Sequence, residues 1–245
     1  MSTTRKKYFI RLIFRGIIVF VCVLEYILKR EDFGVIYGFN FLRERSRLDI
    51  LWGIWIAEML WQLYPAKKYM SLGSQKQFRR RFKPIVEKVN IKALKDHIVR
   101  TSRLAYWIFL LWALMIGFLA FLKIRGLIGG AEIFLVTVFF YLCDLICVLI
   151  WCPFRLFLGN RCCTTCRIFN WDHLMMFSPL ILVPGVYTYS LVFLALIDFA
   201  VWEFAVLLHP ERFWDGSNAA LSCSECTDKL CTQYCQGLFA GKIRG

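Results

Sequence analysis

The sequence is short of charged residues and of histidine. Only 20% of its 245 residues are charged and 59% are hydrophobic, with a mean hydropathy of +0.55. Soluble domains are about 45–50% apolar, so this composition excludes an ordinary soluble enzyme, and it also excludes a disordered chain. The three histidines, His97, His173 and His209, all lie outside the middle of the long apolar runs. A membrane haem with two histidine ligands needs them deep within facing helices, so no haem is expected.

Several motifs that would name a reaction are missing as well. The sequence has no glycine-rich phosphate-binding loop, no nucleophile elbow, and no internal repeat or low-complexity tract. Acidic residues are scarce, with 17 against 31 basic residues and a formal net charge of +14. In a chain this apolar, a basic excess is typical of loops that face anionic lipid headgroups.

Two uncharged runs predict transmembrane helices. Residues 104–122 carry no charge, and residues 133–152 carry only Asp144. A helix of about 20 residues crosses a hydrocarbon core about 30 Å thick, so each run is long enough. The glycine-rich stretch between them suits a tight turn. Residues 104–152 therefore predict a transmembrane hairpin.

The run over residues 174–209 predicts another hairpin. Its apolar part is 35 residues long, and a single helix of that length would extend about 52 Å, too far for a core of about 30 Å. The chain could break at Pro184 and Gly185, because proline removes a backbone donor and glycine loosens the chain, or in the polar stretch over residues 187–190. We therefore expect two short spans here.

The N-terminal region, residues 1–64, is harder to interpret. Residues 8–28 and 48–64 are apolar but contain charges. Either both segments cross the membrane as a hairpin, or they lie in the interface as amphipathic helices.

Lysine and arginine set the expected orientation. The loop over residues 65–103 carries twelve of them against two acids, which places it in the cytoplasm by the positive-inside rule. The expected partner of this loop is a bilayer with anionic headgroups rather than nucleic acid. The fold class expected from these patterns is an all-α integral membrane protein with about six transmembrane helices. It would lie in the inner or plasma membrane, with both termini in the cytoplasm.

Cysteine is abundant, and seven of the eleven cysteines lie in two polar segments, residues 153–173 and 210–245. These seven are the candidate metal ligands: Cys162, Cys163, Cys166, Cys223, Cys226, Cys231 and Cys235. They contain two C-x-x-C pairs, a spacing that lets two thiolates reach one metal ion. If residues 174–209 cross twice, both segments lie in the reducing cytoplasm, where disulfides do not persist. The pattern therefore predicts an iron–sulfur cluster or a zinc site, and it leaves the choice open.

Three polar residues near these cysteines are candidates to support the metal ligands or to relay protons: Asp172, His173 and His209. Each has a simpler interpretation. Asp172 is a suitable N-cap for the helix that follows it, and the histidines suit the membrane interface.

Acidic residues inside apolar segments are a separate signal, because a charge in lipid must be paired, be protonated or line water. The candidates are Glu58, Asp144 and Asp198. They either line a path for protons or cations, or they pair with Arg11 or Arg15.

These features predict a membrane redox component with a cytoplasmic iron–sulfur centre that exchanges electrons with a partner subunit or a quinone. Two alternatives stay open: an ion or small-molecule transporter with a structural zinc site, and a subunit that only anchors or assembles a complex. The sequence predicts no catalytic residue and leaves open whether the protein is an enzyme.

Overall fold

The computed structural model describes residues 3–63, 77, 82–85, 90–154 and 166–222. These residues fold mainly into helices, and the described ranges contain no β-strand. The α-helices are α1 (Thr3–Leu28), α2 (Asn40–Arg43), α3 (Leu48–Leu63), α4 (Ile91–Ile124), α5 (Gly130–Leu149), α6 (Asp172–Phe177) and α7 (Val186–Leu208). The 3-10 segments are Arg30–Ile36, Ile168–Trp171, Ser178–Leu182, Pro210–Phe213 and Ala219–Leu221.

Contacts between the helices define two ends of the bundle. At the upper end, Gly38 pairs with Gly185, and the Gly130 N–H donates to the Tyr37 hydroxyl at 2.8 Å. These contacts join the loop after α1 to the starts of α5 and α7. At the other end, which we call the basic end, Tyr8 in the first turns of α1 packs on the last turns of α5. The long helices therefore run alternately between the two ends.

Helices α4 and α5 cover residues 104–149 of the predicted hairpin, and its crossing of the membrane stays a prediction. Helix α4 includes the whole uncharged run, and it begins early because the Asn90 side chain accepts a hydrogen bond from the Ala93 N–H at 3.1 Å. The turn after α4 places Gly126 at φ +71°, a conformation that favours glycine. Helix α5 ends at Leu149, slightly before the predicted end of the span.

Three helices in the described part of the chain, α4, α5 and α7, are long and apolar enough to cross a membrane. Helix α4 is the clearest case, since only its Ala105 and Ile108 are buried. Its large apolar side chains face outward, with Trp107, Leu114 and Phe118 each about 60% exposed. Such a surface suits lipid rather than water. An all-α membrane protein is thus supported, and the number of six crossings stays a prediction.

Residues 166–185 run from the basic end to the upper end without forming one regular helix. Arg167 near their start hydrogen-bonds Ser102 in the lower part of α4, and the Leu182 carbonyl accepts a hydrogen bond from Lys123 at the top of α4. Between these points lie two 3-10 segments and the short helix α6. The predicted hairpin over residues 174–209 thus contains one broken segment and one regular helix, α7.

The predicted break at Pro184 and Gly185 is held by the loop after α1. The Gly38 N–H donates to the Pro184 carbonyl at 2.9 Å, and the Val186 N–H donates to the Gly38 carbonyl at 2.8 Å. A Cβ atom at Gly185 would lie 2.1 Å from the Ile36 carbonyl oxygen. Glycine is therefore required here by the close approach of two backbones.

The two N-terminal helices are part of the bundle. Helix α1 packs along α5, and α3 packs along α7. The core between them is built on aromatic side chains, among them Trp55, Phe134 and Tyr187, whose ring centroids lie within 6 Å of a neighbouring ring. The Tyr187 hydroxyl donates to the Leu48 carbonyl at 2.8 Å and so joins α7 to the start of α3.

The basic loop and the C-terminal segment meet at the basic end. The Ile85 N–H donates to the Ser217 carbonyl at 3.1 Å, and the Ala219 N–H donates to the Lys83 carbonyl at 2.9 Å. Since Cys166 packs against Ala105 in the lower part of α4, it lies at this end too.

Candidate functional site

A buried arginine lies in the middle of the bundle. Arg15 of α1 is 9% exposed, and its Nη1 donates to Oδ2 of Asp144 and to the Tyr141 carbonyl, both at 2.7 Å. Its Nη2 lies 3.5 Å from Oε2 of Glu58. The Tyr141 hydroxyl donates to Glu58 at 3.1 Å, and the Arg15 guanidinium lies 3.9 Å from the centre of the Tyr141 ring. One network of charges therefore joins α1, α3 and α5.

A second polar group surrounds His173 of α6. Its Nδ1 lies 3.1 Å from Oδ1 of Asp172 and 3.6 Å from Oδ2 of Asp198 in α7. Asp198 is 1% exposed, and neither of its carboxylate oxygens has a hydrogen-bond partner among the described residues. Because a buried carboxylate without a hydrogen bond is costly, this position favours a bound proton or cation.

Both groups border one cavity of about 600 Å³, which lies between α1 and α3. Its charged and titratable lining residues are Arg11, Arg15, Glu58, Asp144, Asp172 and His173. Asp198 lies behind this wall, on the far side of His173. Asp144 also lies within electrostatic reach of Asp172 and His173, so the two groups share one field. We call these residues, with Asp198, the charged cavity site.

The charged cavity site has an excess of negative charge near the middle of the bundle. Arg15 contacts the carboxylates of Asp144 and Glu58, and His173 contacts those of Asp172 and Asp198. With Arg11, which also lines the cavity, two guanidinium groups stand against four carboxylates. Five residues singled out from the sequence thus converge at one place: Glu58, Asp144, Asp172, His173 and Asp198. A negative site enclosed by apolar helices attracts cations or protons. The function of these residues stays a prediction.

Most of the predicted metal ligands lie outside the described residues, namely Cys162, Cys163, Cys223, Cys226, Cys231 and Cys235. Cys166 is described, and it is buried against Ala105, Ile108 and Trp171. Within the described ranges, no three histidine, cysteine, aspartate or glutamate side chains are arranged to hold a metal ion. The predicted iron–sulfur or zinc centre therefore stays a prediction.

Two candidate supporting residues differ from their expected settings. Asp172 is the first residue of α6 rather than its N-cap, and its Oδ1 accepts the His173 N–H at 2.7 Å. His173 is buried rather than interfacial. The third candidate, His209, is 47% exposed just after α7, with its Nδ1 3.4 Å from Glu211.

Two other acids in apolar segments have partners near the ends of the bundle. Glu203 lies 2.5 Å from Nη2 of Arg167 and accepts the Trp171 indole N–H at 2.7 Å. Glu25 lies 3.3 Å from Nη1 of Arg47. Each of these acids thus has an arginine partner that accounts for its charge, whereas the charged neighbour of Asp198 is His173.

Sequence reasoning did not identify Tyr141, although it contributes both a carbonyl and a hydroxyl to the network. The spacing between Tyr141 and Asp144 could have identified it. Tyr141 and Asp144 are three residues apart, so they lie on the same face of α5.

Comparison with models of protein families, with curated proteins and with solved structures gives no match. The interpretation of the charged cavity site therefore depends on the chemistry of its own residues and on their depth in the bundle.

Proposed function

We propose that the chain crosses the membrane with six segments and carries protons or small cations through the middle of the bundle. The crossing segments would be α1, α3, α4, α5, the broken segment over residues 166–185, and α7. Support comes from their alternation between the same two ends. Helix α1 has 26 residues and extends about 39 Å, which is enough to cross a hydrocarbon core about 30 Å thick. Helix α3 has 16 residues and extends about 24 Å, which is shorter than that core. By the positive-inside rule, the basic end faces the cytoplasm.

The observation that carries the proposal is the imbalance of charge beside the cavity. A purely structural ion pair would need one acid for Arg15, and Asp144 supplies it at 2.7 Å. Even with Arg11, which also lines the cavity, two guanidinium groups stand against four carboxylates, and Asp172 and Asp198 lie beside His173 rather than Arg15. Keeping extra carboxylates inside an apolar bundle is costly, and a role in binding or passing cations explains that cost.

The geometry suggests an order of contacts along the path. Glu58 and Asp144 border the cavity, so an ion or proton that enters between α1 and α3 meets them there. Nδ1 of His173 lies 3.1 Å from Asp172 and 3.6 Å from Asp198, so both carboxylates meet the same ring nitrogen. A proton on that nitrogen can be shared with either carboxylate, so His173 suits a link between the cavity wall and Asp198.

A liposome experiment tests this function. The full chain is reconstituted with a pH-sensitive dye inside, and an inside-negative potential is applied. We expect acidification of the lumen above that of protein-free liposomes, and repeats with sodium and potassium gradients identify the ion. The key variant is Asp198→Asn, because it removes the extra carboxylate without leaving Arg15 unpaired.

The matched control is Asp96→Asn, the same change at an exposed position near the start of α4. We expect Asp198→Asn to lower the flux to the level of protein-free liposomes and Asp96→Asn to leave it unchanged. Equal flux for the wild type and for Asp198→Asn contradicts the proposed path. So does a wild type that carries no ion at all.

A cysteine-ligated redox centre is a second proposal, and one observation favours it. Cys166 and the segment over residues 217–222 lie at the same end of the bundle, as one shared centre requires. The iron–sulfur form predicts iron, acid-labile sulfide and an absorbance band near 400 nm after anaerobic purification. Colourless protein with stoichiometric zinc would leave only a structural site.

A further inference from the structure

A second cavity, of about 220 Å³, lies toward the basic end of the bundle and is lined by sulfur. Four of the five cysteines in the described part of the chain line it: Cys143, Cys147, Cys152 and Cys166. Met175 and Met176 add two thioethers to the same wall. We call it the sulfur cavity. Cysteines buried by chance would be spread through the core, whereas Cys22 is the one described cysteine that lies outside this cavity.

The local fold explains how these residues meet. Cys143 and Cys147 are one turn apart on α5 and share a face. Cys152 follows three residues after the end of that helix, where the chain turns, and it lines the cavity together with Cys147. Cys166 begins the segment that returns along the same helix. The fold therefore brings cysteines from one helix face and from the turn after it to one cavity.

The chemistry of the lining selects a class of ligand. Thiolates and thioethers are soft ligands and prefer Cu(I) among the ions that proteins bind, whereas magnesium or calcium need several oxygens. Asp144 and Asp172 are the acids in the lining, and they are too few to supply the several oxygens that magnesium or calcium needs. In the described ranges no three ligands of the usual kinds are arranged around a metal ion. A soft monovalent ion does not need three, since two sulfurs in line satisfy it.

We propose that the sulfur cavity binds a soft monovalent metal ion of the Cu(I) type between the sulfurs of Cys147 and Cys152. Binding replaces the S–H bonds with metal–sulfur bonds and releases the two protons to solvent, with no change in the oxidation state of metal or sulfur. This site is separate from the predicted loop and tail centre, and it does not depend on ion flux through the charged cavity site.

The test uses the full chain with serine at the six cysteines outside the described residues, so that their thiols cannot compete. Cu(I) is supplied as its coloured bicinchoninate complex, and loss of colour reports transfer to the protein in detergent. We expect transfer of one Cu(I) per chain. Cys147→Ser combined with Cys152→Ser should weaken binding by more than about 100-fold, beyond the usual cost of losing an outer partner of a metal ligand. The matched control Cys22→Ser should bind normally.

A second measurement keeps the proposal testable if the double variant does not fold. In the six-serine chain, Cu(I) should protect Cys147 and Cys152 from maleimide, as read by mass spectrometry of peptides, and should leave Cys22 unprotected. Unchanged alkylation of Cys147 and Cys152 overturns the proposal. Equal loss of Cu(I) binding in the Cys22→Ser control overturns it as well.

Discussion

The sulfur cavity and the charged cavity site share a wall but have different chemistry. Asp144, Phe169 and Asp172 line both spaces. On one side of this wall the lining is cysteine, methionine and aromatic rings, and on the other it includes arginine, histidine and glutamate. Helix α5 contributes to both sides, because Cys143 and Cys147 line the sulfur cavity, Leu145 lines the charged one, and Asp144 lies on the wall between them. One apolar helix thus provides two environments.

The largest effect is expected from unpairing the buried arginine on the charged side. Asp144→Ala removes the 2.7 Å partner of Arg15 and leaves Glu58 at 3.5 Å, so we expect a loss of about 3 kcal/mol in the free energy of unfolding, the low end for a broken buried pair. Unfolding in mixed detergent micelles measures it. The double variant Arg15→Met with Asp144→Leu removes both charges and should recover most of the loss. If the double variant is as unstable as Asp144→Ala, the ion pair is not the cause.

The next change removes the wall between the cavities. Phe169 is half-buried and lines both, so Phe169→Ala should join them and cost about 2 kcal/mol, less than a fully buried phenylalanine. Water and reagents would then reach the sulfur side from the charged side. We expect maleimide to label Cys147 faster in this variant, with Cys22 as the internal reference. Unchanged labelling of Cys147 would show that the wall does not depend on this ring.

A smaller effect is expected from one hydroxyl of the charged side. Tyr141→Phe removes the hydrogen bond to Glu58, which should lower the free energy of unfolding by about 1 kcal/mol. Tyr106→Phe, at a 58% exposed position on α4, is the matched control and should change nothing measurable. A neutral Tyr141→Phe would mean that Glu58 finds another donor.

The smallest effect is expected from an ion pair outside both cavities. Arg30 lies 2.5 Å from Glu132, but its side chain is 65% exposed. Water screens such a pair, so Arg30→Ala should change stability by less than about 1 kcal/mol. Comparison with Asp144→Ala in the same assay measures how much burial adds. A loss as large as that of Asp144→Ala would contradict this account of burial.

The sequence is sufficient to predict the helices whose signal is local. The uncharged run over residues 104–122 predicts the membrane part of α4, and the pair Pro184-Gly185 marks the start of α7 correctly. The broken segment before it could not be predicted, because an apolar run has the same composition whether it forms a regular helix or 3-10 turns. The contacts of residues 166–185 with α4 decide between those forms, and the spacing of hydrophobic residues in the sequence does not reveal such contacts.

The sequence is sufficient to predict which acids belong to the charged cavity site, but not which of them pairs with Arg15. Depth in an apolar segment identifies Asp144 and Asp198 as unusual. Which acid would pair with Arg15 depends on how α1 packs on α5, and these residues are 129 positions apart. The meeting of Cys152 with Cys147 at the sulfur cavity likewise depends on the turn after α5.

The backbone pairing at Gly38 and Gly185 has a consequence for biogenesis. Bilayer hydrocarbon cannot satisfy the peptide groups of an irregular crossing, so such a segment is stable only when protein supplies the partners. Residues 36–38 leave the ribosome long before residues 184–186, and they wait at the upper end as a ready acceptor. If the segment over residues 166–185 crosses the bilayer as proposed, its irregular end depends on the loop after α1 for backbone hydrogen bonds. A chain without this early loop should therefore insert its final segments poorly.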